Sequence, residues 1–462
     1  LGSRIAAMGQ IPQRANVKRY TRQRKSELGM LLLASGITIL AFLLASLGIN
    51  SALPSNLIIV LVAMVALPLV VHIANLFLAP YADPALMPIV ALLNGLGYVM
   101  IARLDPQEAL LQGVWATLGV IAYISTLIIV NRSEILDRYR FLLALSGLLL
   151  LVLPLAPGIG QNINGARLWI RLGPVSFQPV EIAKLNLAIF FASYFIEKRD
   201  VLGAMGSRLS LRESLNIRIL GPIATAWIAS LLVMTLERDV GFSLMLFLVF
   251  IITIWMATSR IRYLFGGSIL FVLGALGASN LFTQVNVRVT IWIDPWKYAQ
   301  GIGYQIVQAQ YALAAGGISG TGLGRGHPTI IPVVTSDFIF AAIGEEMGLL
   351  GTSAIVMAFL LIVGIGIRAA LRAKSPFGSL IAAIFTMIIG LQSFFIMGGI
   401  VRLLPLTGVT LPFVAYGGSS LISNYILISI LMRISDEGNR PDELENELKS
   451  RRSLLSRRAK TA

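Results

Sequence analysis

No cysteine occurs anywhere in the chain. That excludes a disulfide framework, thiol catalysis and thiolate metal sites. Histidine is nearly missing as well, with only His72 and His327, so a histidine-based metal centre is not expected. Charge is the third scarcity. Only 13% of the 462 residues are Asp, Glu, Lys or Arg, roughly half of what a soluble domain carries. Apolar residues fill the space: 56% of the chain is hydrophobic and the mean hydropathy is +0.81. The fold class this predicts is all-α, a polytopic membrane protein of lipid-spanning helices joined by short loops.

Lys and Arg outnumber Asp and Glu by 37 to 22, a net charge of +15. Their distribution argues against nucleic acid as a partner. They gather in the N-terminal tail (Arg14, Lys18, Arg19, Arg22, Arg24, Lys25), in short loops and in the C-terminal tail. That is the positive-inside pattern of a membrane protein whose basic tails lie on lipid headgroups.

Twelve apolar stretches can be marked: 28–48, 56–78, 84–101, 110–130, 139–157, 180–196, 219–236, 241–259, 264–282, 345–370, 378–400 and 409–432. Each has about 17–26 residues, enough to cross the hydrocarbon core. The first is full length, so no cleavable signal peptide is expected. With the N-terminus in the cytoplasm, 28 of the 37 basic residues fall on the tails and even-numbered loops and nine on the opposite side. Both termini are then cytoplasmic. The tail after Ser435 is charged and without an apolar stripe, and is expected to be solvated.

The longest departure from this pattern is Thr283–Phe338, about 55 polar, Gly-rich residues between two spans. On the charge count it is extracytoplasmic, as is the shorter polar stretch 158–179. Irregular backbone at membrane depth must sit in protein or line a wet cavity, so the long segment is the expected seat of function. Ionisable residues converge on the same side: Glu181, Lys184, Glu237, Arg238, Asp239, Asp337, Glu345, Glu346 and Arg402. Glu181 and Lys184, three apart on a helix, share a face. Singly, each could be an ion pair at a helix end; together they favour a shared polar site. Gly316, Gly317, Gly320, Gly322, Gly324 and Gly326 permit close backbone approach. They read either as a flexible loop or as a phosphate cradle built from backbone N–H groups. Gly417, Gly418, Ser419 and Ser420, placed inside the last span, read as a close-packing surface.

Five stretches resemble the SEDS family (FtsW, RodA and SpoVE): NGARLWIRLGPVSFQPVEIAKL at 164–185, ERDVGFSLMLF at 237–247, IDPWKYAQGIGYQIVQAQYALAAGGISGTGLG at 293–324, SDFIFAAIGEEMGLLG at 336–351, and LLPLTGVTLPFVAYGGSSLISNYIL at 403–427. The resemblance implies four parts. Residues 1–27 form a basic cytoplasmic tail, 28–80 two transmembrane helices outside the family core, 81–436 the ten-helix core with its outer loop 283–338, and 437–462 a charged cytoplasmic tail. It further implies a glycosyltransferase of the bacterial cytoplasmic membrane, polymerising lipid II into glycan strands at the outer face. The tight Glu237–Arg238–Asp239 turn and the two extra helices lean toward RodA.

By the same resemblance the substrates are lipid II and the growing glycan strand. The partner is a class B penicillin-binding protein, and Mg²⁺ or Mn²⁺ would be shared with substrate pyrophosphate. No other cofactor is implied. Glu181 and Lys184 face the central cavity. Arg167, Arg171, Lys297, Tyr304, Gln305, Gln308, Arg325 and Arg402 are candidate sugar or pyrophosphate contacts. Asp239, Gly317, Gly322, Gly324, Glu345, Glu346, Gly417, Gly418, Ser419 and Ser420 line or shape the cavity.

One departure matters. The position of the family's catalytic Asp is Tyr298 here, and the following Pro is Ala299. A phenol is a poor base at neutral pH. Asp294, four residues earlier, is the first candidate to take over; Asp337 or Glu181 could serve instead. Otherwise the chain is a weak polymerase acting as a scaffold. A lipid II flippase is the alternative from another class, but no internal repeat of the transporter kind is visible.

Overall fold

A computed structural model describes residues 2–50, 57–163, 166–172, 175–204, 228, 240–281 and 283–441. The expected span 219–236, and Glu237, Arg238 and Asp239, lie outside the described residues. The described chain is helical apart from one small sheet. In order the helices are α1 (Gly2–Asn50), α2 (Leu57–Leu78), α3 (Leu86–Leu104), α4 (Pro106–Ile129), α5 (Glu134–Arg138), α6 (Arg140–Val152), α7 (Val180–Glu197), α8 (Arg199–Ala204), α9 (Val240–Thr258), α10 (Ile261–Leu281), α11 (Thr283–Ile293), α12 (Tyr304–Gly316), α13 (Ile339–Arg372), α14 (Pro376–Ile400) and α15 (Gly418–Asn439). Among the described residues eight are long and apolar enough to cross a membrane, and Arg140–Leu155 and Ile261–Gly274 are shorter apolar stretches.

Helix ends follow local chemistry. The Asp105 carboxylate accepts from the N–H groups of Gln107 and Glu108 at 2.8 and 3.1 Å, with Pro106 in the first turn. Ser375 and Pro376 start α14 in the same way. Both pairs satisfy N–H groups that a helix start leaves free. α7 is too charged to stand in lipid, since it carries Glu181, Lys184 and Glu197. It does not have to: most of it, from Val180 to Phe195, is buried by other helices.

Four expectations are corrected. The polar stretch 158–179 holds an antiparallel sheet of β1 (Gly160–Ile163), β2 (Ala166–Leu172) and β3 (Val175–Phe177), in which Gln161 pairs with Trp169 and Arg171 with Ser176. The fifth span is shorter than marked, 13 residues of α-helix and a turn of 3₁₀. The tenth begins at Ile339 and breaks at Gly348, whose φ of +64° no other residue adopts readily. The last begins at Gly418, so 401–417 is irregular and the Gly-Gly-Ser-Ser run sits at its start, not inside it.

The helices sort into two ends. At one, the Tyr81 N–H donates to Asp436 (2.7 Å), the Ser133 N–H to Glu437 (2.8 Å) and Arg372 to Asn439 (3.0 Å). Arg433 donates to the carbonyls of Leu78, Leu127 and Val130. Toward this end the N-terminal pair is fastened to the rest. Glu27 is buried and pairs with Arg24. Asn75 donates to Glu27 at 2.7 Å and accepts from Tyr123 of α4 at 2.6 Å. The sheet, the segment 283–338 and 401–417 gather at the other end.

α15 lies at the centre, with most of its positions buried. Small residues let neighbours approach it and the segment before it. A Cβ on Gly97 of α3 would stand 2.4, 2.7 and 2.9 Å from backbone atoms of Val414. Backbone cannot swing aside as a side-chain tip can. Gly97→Ala is therefore expected to cost about 1–3 kcal/mol of stability, read as a lower unfolding temperature of the detergent-solubilised protein. An unchanged unfolding temperature would mean that 401–417 yields freely.

Candidate active site

The buried centre of the polar end is an ion pair. On α7, Lys184 Nζ lies 2.5 Å from Glu181 Oε2, with the two side chains 4% and 1% exposed. The i,i+3 spacing puts them on one face, as the sequence predicts. Three elements hold them. Gln392 of α14 accepts from Lys184 at 3.0 Å, Ser423 of α15 donates to Glu181 at 2.9 Å, and Phe242 of α9 puts its ring 5.7 Å from the ammonium. Glu181 Oε1 has no partner among the described residues.

The segment 401–417 passes beside this pair. The Gln392 amide donates to the Thr410 carbonyl (2.9 Å), and Thr410 donates to Ser420 (2.8 Å). Three residues before Thr410 the same segment meets a second charged group: Arg288 of α11 donates to the Thr407 carbonyl at 2.8 Å. A Cβ on Gly408 would touch that guanidinium at 3.0 Å. Arg288 stands beside Asp337, just before α13. Asp337 is half-buried, and burial raises its carboxyl above the usual range, with Arg288 and a hydrogen bond from Ser336 pulling the other way. Residues 407–410 thus link Arg288, from the long polar segment, to the Glu–Lys pair of α7, and Asp337 lies within the electrostatic reach of that guanidinium.

Asp294, by contrast, is exposed at the end of α11, and its Oδ1 accepts the N–H of Lys297 at 3.3 Å. That is a turn-capping role. Lys297 is exposed, its ammonium 5.8 Å from the Tyr298 ring. Tyr304, Gln305 and Gln308 lie half-buried along α12. Arg402 (φ +61°) donates to the Trp292 and Ile293 carbonyls, both at 3.1 Å, and so closes the end of α11. Arg167 and Arg171 are both exposed on β2; four apart in a strand, they share a face.

The glycine-rich loop is not a free loop: much of its backbone is bonded to the start of α13. The N–H groups of Thr321 and Gly322 donate to the Glu345 and Glu346 carbonyls, at 2.9 and 3.0 Å. That of Gly324 donates to the Glu346 carboxylate (2.9 Å). The carbonyls of Gly317 and Ile318 take the N–H groups freed by the break at Gly348. Gly317, Gly320, Gly322 and Gly324 all have positive φ, and a Cβ on Gly324 would stand 2.4 Å from the Ala45 carbonyl of α1. The N–H groups of Thr321, Gly322 and Gly324 are spent on the broken helix and are not available to an anion. Glu346 pairs with Arg103 (2.5 Å), and Glu345 accepts the His327 N–H (2.6 Å). Arg325 is exposed. At the start of α15, a Cβ on Gly418 would collide with the Trp115 ring at 2.1 Å, so close packing is its role. Gly417 caps the helix, Ser419 accepts the Gln178 N–H at 3.2 Å, and Ser420 ties Thr410 to Asn424.

Sequence reading missed Gln392, Ser423, Asn424 and Thr410, and gave Arg288 no role. The available signal was an amide or hydroxyl inside an apolar run. A divalent ion fits the set poorly. Among the described residues no three His, Asp or Glu side chains cluster; Glu181 already faces Lys184, and Asp337 faces Arg288.

The sequence profile described as "Cell cycle protein" (FtsW/RodA/SpoVE) matches residues 84–440. The "Peptidoglycan glycosyltransferase RodA" of Mycobacterium tuberculosis (strain H37Rv) is 40% identical over 430 residues, covering 91% of this chain and 92% of that protein. Residues 84–462 are only about 82% of the chain, so that match extends into the N-terminal helices. The "Probable peptidoglycan glycosyltransferase FtsW" of Geobacter sulfurreducens is 34% identical over 332 residues, 70% of this chain and 84% of that one. Among solved structures, a chain from work on "Structural coordination of polymerization and crosslinking by a peptidoglycan synthase complex" superposes with a TM-score of 0.64 at 25% identity, over 78% of this chain and 99% of its own. The RodA of Thermus thermophilus, with a TM-score of 0.56 at 24% identity over 78% and 98%, shares the fold. Together with the profile match, these place the chain in the FtsW/RodA/SpoVE family.

Proposed function

We propose that this protein is a peptidoglycan glycosyltransferase of the bacterial cytoplasmic membrane that polymerises lipid II into β-1,4 glycan strands on the outer side. One observation carries the reading: a buried Glu181–Lys184 pair, joined through residues 407–410 to Arg288, whose charge acts on Asp337, in a chain whose relatives bear that activity in their names. The attacking oxygen is the 4-hydroxyl of the acceptor GlcNAc. Its proton passes to the Asp337 carboxylate. The new C1–O bond forms as the bond from C1 to the pyrophosphate breaks. The pyrophosphate leaves with the electron pair, and Lys184 steadies its charge. Arg167 and Arg171 are placed on β2 to meet the same anion, and Lys297, Tyr304, Gln305, Gln308 and Arg325 to guide the glycan. Asp294 is the alternative base. No step is routed through a metal ion.

The same reading gives twelve spans, both termini in the cytoplasm, and the sheet with 283–338 outside. The gathering of those polar segments at one end, opposite Arg433 and Arg440, supports it. The partner is a class B penicillin-binding protein; a complex of polymerisation with crosslinking is what one structural relative comes from. A second reading, a scaffold for that transpeptidase, is favoured by Tyr298 alone. Purified protein, assayed with lipid II with and without the transpeptidase, separates the two. Glycan strands are the expected product. No strands from a complex verified as intact would leave the scaffold.

A further inference from the structure

One buried polar side chain takes no part in that chemistry. Gln112 of α4 is 0% exposed, and neither its Oε1 nor its Nε2 has a partner among the described residues. Native proteins rarely leave a buried amide so, and each case calls for an explanation. One turn earlier, Glu108 has a buried Oε2 that is also unpaired. Residues four apart on a helix share a face. The face continues through Trp115, which packs on Gly418, and Gly119, which packs on the Tyr425 ring. It therefore looks toward the start of α15 and the segment before it. Glu108 and Asp105 are felt there by Tyr416, whose phenol is raised mainly by burial. Two further unpaired atoms, Asn424 Oδ1 and Glu181 Oε1, belong to α15 and its other neighbour α7.

We propose that Gln112, with Glu108, forms a sugar-recognition subsite that takes the acetamido group of an N-acetylated hexosamine on the lipid-linked substrate; this rests on the polymerase reading above. A carboxamide presents a donor and an acceptor side by side, and an acetamido group presents the complementary pair. Glu108, acceptor-only when ionised, suits a neighbouring hydroxyl and repels pyrophosphate. The subsite thus takes the sugar and leaves the anion to Lys184. Gln112 is sealed in this structure, so substrate reaches it as 401–417 gives way. Arg402 and Phe413 hold φ of +61° and +65° there, and Thr407 Oγ1 is unpaired, all of which a rearrangement relieves.

The test uses the full chain in nanodiscs and two substrates, lipid II and an analogue with a free amine in place of the hexosamine acetamido group. Wild type is expected to favour lipid II by about tenfold in kcat/KM, the scale of a lost hydrogen-bond pair. Gln112→Leu should treat the two alike, with KM for lipid II raised and kcat little changed. Its unfolding temperature should hold or rise, because an unpaired amide is gone. Gln112→Asn, which retracts the amide by one methylene, is the second variant should Leu not fold, and should lose the preference too. Retained preference in the variants overturns the proposal. So does a fall in stability with kcat and KM worsening together, which marks a structural amide. Wild type that polymerises without preference defeats the subsite alone; wild type that polymerises neither substrate defeats the polymerase reading.

Discussion

Lys184→Met should abolish glycan-strand synthesis and also lower stability by about 3–5 kcal/mol, the cost of leaving a buried charge without its partner. Both effects follow from one geometry. The ammonium is 2.5 Å from Glu181, 3.0 Å from Gln392, and shielded from solvent. Loss of activity alone would not separate unfolding from chemistry. The double variant Glu181→Gln, Lys184→Met does, because removing both charges leaves no uncompensated ion. It is expected to recover most of the stability, measured by thermal unfolding in detergent, and none of the polymerisation. If polymerisation returns with stability, the pair is structural and the pyrophosphate lies elsewhere.

The second large effect is at Asp337. Asp337→Asn should slow polymerisation by about 10²–10⁴-fold, the range for a lost general base, while the protein stays folded. Burial favours the neutral carboxyl, and the amide is a neutral group of the same shape. The pH dependence has a defined sign. Below the raised pKa the carboxyl is protonated and cannot accept a proton, so the rate climbs as pH rises through that value. Stability moves the other way. The folded state holds this proton more tightly than the unfolded chain. The contribution is therefore full below the unfolded pKa and lost as pH rises through the folded one. Asp337→Asn should flatten both profiles. Asp294→Asn should change little, since Asn can keep the turn bond to the Lys297 N–H. An inactive Asp294→Asn beside an active Asp337→Asn would return the base to the residue that local sequence favours.

The difference between those two residues shows how far local sequence reaches. Asp294 lies four residues from Tyr298, where the resemblance places a catalytic acid, and proximity along the chain is all that a sequence offers. Asp337 is more than 40 residues from Arg288 and 70 from Thr407, and only folding brings them together. Glu181 and Lys184 were legible because their i,i+3 spacing is itself local. Gln392 and Ser423, 208 and 242 residues from their partners, were not. The sheet was half legible. Arg167, Trp169 and Arg171 alternate with Leu168, Ile170 and Leu172, a period of two that the polar character of the stretch obscured. The glycine loop is the opposite case. Its composition permits a phosphate cradle, and only the structure shows that the Thr321, Gly322 and Gly324 N–H groups are already bonded to Glu345 and Glu346, beside the break at Gly348.

Hydropathy and charge by themselves determine that this is a multi-pass helical membrane protein with polar mass concentrated outside the spans. They can do so because lipid requires long apolar helices and because basic residues resist translocation. Motifs add the family. The tertiary structure alone decided which polar groups are spent on the scaffold and which are left without a partner among the described residues. A buried donor or acceptor is assigned by what folding places within about 3 Å of it, and for this site the neighbours come from α7, α9, α11, α14 and α15.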